Sequence, residues 1–136
     1  MADPNDPMTV SSLLKQLGKP RSGKCAAGPG KQCDHVVELQ VVVNALNRLN
    51  FMYTDKSLRK LVDFFGGKGN LESIKAEENQ KKGKAIRRFL AGKKPKNGDQ
   101  KYITRVREKW QMMENELTGD FVKFKAAMNE ALGLED

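Results

Sequence analysis

The chain's only histidine, His35, sits in Cys33-Asp34-His35-Val36-Val37-Glu38-Leu39. An imidazole titrates near neutral pH and can take a proton from water. The aspartate beside it offers hard oxygen atoms of the kind that suit Mg2+ or Mn2+. Farther along runs Gly69-Asn70-Leu71-Glu72-Ser73-Ile74-Lys75-Ala76-Glu77-Glu78-Asn79-Gln80-Lys81-Lys82-Gly83-Lys84, with two asparagines nine residues apart and a basic stretch behind the second. Asn79 adds another hard oxygen, and the cations after it can track phosphates. By itself Asp34-His35 reads as a surface turn or a hydrogen-bonded core histidine, since a lone histidine seldom proves catalytic. Its order and spacing relative to Asn70, Asn79 and the basic run turn the reading toward chemistry.

Bringing these residues together takes two strands and a helix. A short strand near 33–36 leads into a helix whose apolar positions are Leu39, Val42, Val43, Leu46 and Leu49, although Val41-Val42-Val43 favours strand. Residues 57–65 read as a helix through Leu58, Leu61, Val62 and Phe65, ended by Gly66-Gly67. A short strand is expected over 70–75. A helix over 76–91 follows, interrupted at Gly83 and ended at Gly92, and then a loop over 92–100. Two helices close the chain, one lined by Ile103, Val106, Trp110, Met113 and Leu117, the other by Phe121, Phe124, Met128 and Leu132. Upstream, 1–8 reads as a flexible leader, 9–17 as a short helix and 18–32 as a loop. The expected fold class is α+β: one mostly helical domain over 9–136, with a motif core at 33–92 and C-terminal helices at 101–133.

Asp34-His35, Asn70 opening the second strand, Asn79 on the next helix and the Lys/Gly-rich segment after it resemble the HNH, or ββα-metal, endonucleases, in the variant whose third position is Asn. The resemblance covers residues 33–84, with a helix inserted in the 35-residue gap between His35 and Asn70. It implies a ββα-metal motif (a short two-stranded hairpin plus helix) and a single Mg2+ or Mn2+. Carried over, His35 activates water, Asp34 and Asn79 hold the metal, and Asn70 braces the loop and the base. Cutting would leave 5′-phosphate and 3′-hydroxyl ends. The expected activity is a metal-dependent endonuclease on DNA with little sequence preference, in a toxin or effector domain that an inhibitor or immunity protein could restrain. Lys75, Lys81, Lys82, Lys84, Arg87 and Arg88 would hold the nucleic acid. A ribonuclease would use the same residues, and a catalytically silent nucleic-acid-binding effector would keep the fold and the basic face.

Charge agrees with a polyanionic partner. The 136 residues carry 25 Lys and Arg against 17 Asp and Glu, a net charge of +8. Residues 56–109 hold 17 of the cations and six of the acids, so the excess is concentrated there. No stretch approaches the apolar length of a membrane-spanning helix, and no membrane partner is expected. Composition excludes a collagen or repeat array. Cys25 and Cys33 are the only cysteines. A disulfide between them would pin the loop ahead of Asp34 and suit a secreted or delivered protein. Two thiols in a cytoplasmic or nuclear enzyme are the alternative, and zinc on Cys25, Cys33 and His35 ranks last because it lacks a fourth ligand.

Overall fold

A computed structural model describes residues 29–49 and 53–134. The elements run β1 (Lys31–His35), α1 (Leu39–Asn47), α2 (Asp55–Phe65), a 3-10 turn (Lys68–Asn70), β2 (Leu71–Lys75), α3 (Ala76–Leu90), α4 (Asp99–Met113), a second 3-10 turn (Glu114–Glu116) and α5 (Val122–Ala131). The fold is α+β and mostly helical. β1 and β2 form an antiparallel pair in the register Lys31↔Lys75, Cys33↔Ser73, Asp34↔Glu72 and His35↔Leu71. Backbone hydrogen bonds extend the ladder at both ends, from Val36 N to Asn70 O at 2.8 Å and from Ala76 N to Gly30 O at 3.2 Å. Helix α3 begins where β2 ends, so two antiparallel strands pass directly into a helix. Between the strands lie α1 and α2, the two helices expected over the 39–49 and 57–65 stretches.

Local sequence explains most of the boundaries. Thr54 caps α2, its hydroxyl accepting from Ser57 N at 3.1 Å, and Leu58, Leu61, Val62 and Phe65 form the buried stripe. α3 carries Glu77 and Glu78 in its first turn and Arg87 and Arg88 in its last, both favourable to the helix dipole. Gly98, at φ +91°, makes the left-handed turn that launches α4. Three expectations need correction. Val41, Val42, Ala45 and Leu46 form the buried face of α1, so Val41 replaces Val43 there and packing outweighs β-branched propensity. Gly83 does not interrupt α3, which runs unbroken for 15 residues. β1 starts at Lys31, inside the expected 18–32 loop. The leader, the 9–17 helix and most of that loop fall outside the described residues.

The core is centred on aromatic rings from three helices. Phe65 of α2 stacks on Trp110 of α4 with centroids 6.0 Å apart, and both meet Phe124 of α5 edge-on. The Trp110 indole N–H donates to Asn129 Oδ1 at 2.8 Å, which satisfies its one polar atom inside the core. Ala85 and Ile86 of α3 join the same cluster, so the strand-helix unit is anchored by its helix to the rest of the molecule.

Candidate active site

Alternation along β1 sends Gln32 and Asp34 to one face, and that face meets α3. Asn79 and Lys82, three residues apart, share one side of α3 and reach across to it. Asn79 Nδ2 donates to Gln32 Oε1 at 2.7 Å. Lys82 Nζ donates to Asp34 Oδ2 at 2.6 Å and to the His35 carbonyl at 2.8 Å. Lys82 is only 2% exposed and Asp34 7%, so this is a buried ion pair. Removing one partner of such a pair costs about 3–5 kcal/mol, because the other charge is left stranded.

Acids surround this ammonium. Burial pushes the Asp34 carboxyl up, Lys82 pulls it back, Glu72 opposite it on β2 pushes it up again, and the charge of His35 lowers it. Glu72 is itself tied down by Arg105 of α4. Glu38, at the mouth of α1, is likewise pushed up by burial and pulled back chiefly by Lys82. Gln40 Nε2 donates to Glu38 Oε2 at 2.8 Å and to the Gly83 carbonyl at 3.0 Å, lashing Glu38 to α3 next to Lys82. The other oxygen, Glu38 Oε1, is buried with no hydrogen-bond partner among the described residues.

Asn70 is fully buried and binds the turn after β1. Its Oδ1 accepts from Val37 N at 2.8 Å, and its Nδ2 donates to Val37 O at 3.1 Å and Phe65 O at 2.8 Å. One side chain thereby joins the exit of β1, the end of α2 and the entry to β2. His35 is the last residue of β1 and is partly buried. Because β1 keeps register through His35, alternation sets its side chain on the face opposite Asp34. Lys75, Lys81, Lys84 and Arg87 lie exposed on the outside of the unit. Lys82 does not join them, being buried against Asp34, and Arg88 is clamped by Asp99 at 2.7 and 2.8 Å. A Cys25–Cys33 bond and the zinc alternative involve Cys25, which lies outside the described residues.

Sequence reasoning misses Glu38 and misplaces Lys82. Glu38 has a signal, an acid inside the apolar run Val36-Val37-Glu38-Leu39. Lys82 reads as one more cation for phosphates, yet its three-residue step from Asn79 already places the two on one face of a helix.

Among the described residues no group of three or more His, Cys, Asp or Glu side chains gathers to hold a metal. The oxygen set of Asp34 and Asn79 fits a hard divalent ion in kind. The Lys82 ammonium, seated on the Asp34 carboxylate and the His35 carbonyl, is a cation already standing among those oxygens, and an entering ion would have to displace it. No protein-family model, curated protein or solved structure matches the chain. Among the described residues no helix is long and apolar enough to cross a membrane.

Proposed function

We propose that this chain is an HNH-type endonuclease domain on a ββα-metal scaffold, hydrolysing DNA phosphodiester bonds with little sequence preference and serving as a toxin or effector. The observation that carries the reading is the join between β1 and α3, where Asp34 and Gln32 meet Lys82 and Asn79 and where Lys82 also binds the His35 backbone carbonyl. In this reading the end of β1 twists at His35, its last residue, so that the imidazole comes round to the side of Asp34 and takes the proton from the attacking water. Asp34 and Asn79 hold the divalent ion. When bound, Mg2+ or Mn2+ would relieve the charge building on the phosphoryl and departing 3′ oxygens. Asn70, fully buried, touches no substrate and acts as a positioning residue for the turn behind His35. Lys75, Lys81, Lys84 and Arg87 grip flanking phosphates, which hold the duplex without reading its sequence. An inhibitor protein would be the natural partner of such a domain.

A second reading has an observation of its own. The buried Lys82–Asp34 pair already neutralises the one carboxylate assigned to metal, as it would in a module that binds nucleic acid and does not cut it. Plasmid nicking with Mg2+, Mn2+ or EDTA, beside tRNA as a second substrate, separates these. Metal-dependent plasmid cutting lost in both His35→Ala and Asn79→Ala is expected. Retarded DNA with no cutting in any metal gives the binding module, and cleavage of tRNA alone gives the ribonuclease.

A further inference from the structure

We propose that Glu38 is a second seat for the Lys82 ammonium, which leaves Asp34 for Glu38 when a divalent cation arrives and so opens the metal position. The inference rests on the nuclease reading and adds to it the way the site is opened. Two carboxylates flank one buried cation. Asp34 holds it now, at 2.6 Å, while Glu38 keeps one oxygen buried and, among the described residues, unpartnered. A buried carboxylate oxygen with nothing to accept is a costly arrangement, and a donor arriving there removes the cost. Gln40 fixes the geometry for the exchange, bridging Glu38 Oε2 to the carbonyl of Gly83, the residue next to Lys82. Glu38 is therefore held against the same turn of α3 that carries the lysine. Lysine has a long, flexible stem and a compact ammonium with three donors, so it can change partners while its backbone stays in place. Without a receiver, a displaced ammonium would remain buried beside an incoming divalent ion, and the two would repel.

The exchange predicts a particular coupling. Glu38 should matter to metal binding only while Lys82 is present. Mn2+ affinity, measured on the full chain by electron paramagnetic resonance or calorimetry, is compared in wild type, Asp34→Asn, Glu38→Gln, Lys82→Met and the Glu38→Gln/Lys82→Met double variant, with each fold checked by circular dichroism. Wild type should bind Mn2+ in a manner abolished by Asp34→Asn. Glu38→Gln should weaken binding at least tenfold, and adding Lys82→Met should restore it. Should Lys82→Met fail to fold, Lys82→Gln takes its place, since it keeps a polar chain of similar reach without the charge. If Glu38→Gln leaves affinity unchanged, or weakens it equally with and without Lys82, the second seat is refuted while the metal site stands. If wild type shows no Asp34-dependent Mn2+ binding, the metal site and the exchange fall together.

Discussion

Asn70 offers the sharpest test of how the site is held. Replacing it with alanine strands the buried Val37 N–H and removes one partner each from the carbonyls of Val37 and Phe65. A buried group left unsatisfied costs about 1–3 kcal/mol. The orphaned N–H falls near the middle of that range and the two carbonyls, each with a second lone pair, toward the bottom, for a total of about 3–4 kcal/mol. That is a large share of the roughly 5–15 kcal/mol that holds an ordinary domain folded. With a urea dependence of about 1.5 kcal/mol per molar, the unfolding midpoint should fall by about 2 M. The assay is urea unfolding followed by Trp110 fluorescence, with Asn70→Asp as companion. The aspartate keeps an acceptor for Val37 N–H but loses both donors, and burying its charge should make its deficit grow as pH rises. A midpoint shift below about 0.5 M for Asn70→Ala would mean that the turn after β1 is held by something else, and the positioning role assigned to Asn70 would fail.

Three further outcomes follow from other parts of the molecule. A Cβ at Gly83 would meet no atom within 4 Å, so Gly83→Ala should stabilise the protein by about 0.5–1 kcal/mol, seen as a raised unfolding midpoint in urea. The Arg88 guanidinium holds the Asp99 carboxyl at about 2, below its ordinary 3.8. A folded-state value below the unfolded one gives stability that is complete above about pH 4 and lost as pH falls toward 2. The advantage of wild type over Asp99→Asn in thermal melts should therefore shrink across that window; an advantage independent of pH would refute the linkage. On the nucleic-acid reading, Lys81→Ala/Lys84→Ala/Arg87→Ala should weaken binding to a labelled duplex and flatten the slope of log K against log salt by roughly 2–3, at about 0.9 for each phosphate no longer neutralised. An unchanged slope in fluorescence anisotropy would remove these residues from the interface.

Much of the scaffold was legible because it rests on local patterns. The stripe Leu58, Leu61, Val62 and Phe65 defines the body of α2 and the glycines after Phe65 its end, whereas its start at Asp55, under the Thr54 cap, lies two residues ahead of the expected 57. Leu71 and Ile74, followed by a strong helix former in Ala76 and acids at 77 and 78, mark the passage from β2 to α3. What periodicity could not supply was the partner of each polar side chain. Lys81, Lys82 and Lys84 look alike as a run, yet α3 turns Lys82 inward by its three-residue step from Asn79, and Asp34 is there only because a strand from 48 residues earlier lies alongside. Arg88 and Asp99 likewise join across a loop whose path depends on Gly92 and Gly98, both at positive φ. Val41 and Gly83 show the complementary failure, where intrinsic preference pointed one way and tertiary packing prevailed.

The two helices between β1 and β2 also govern how the site comes into being. Had the strands been joined by a tight turn, the pair could have formed in microseconds as a local hairpin and carried its polar residues with it. Here Asp34 finds Glu72, and Asn70 finds Val37, only after the chain between them has been looped and packed, and closing that loop draws on entropy that long-range contacts return late. β2 and α3 are contiguous and can assemble early, whereas β1 must arrive from a distance. The polar centre is therefore a late event on the way to the native state and an early casualty on the way out of it. Partial opening that frees β1 dismantles the proposed site while leaving most of the helical core intact, so on the nuclease reading cutting should disappear under mild denaturation before the fold does.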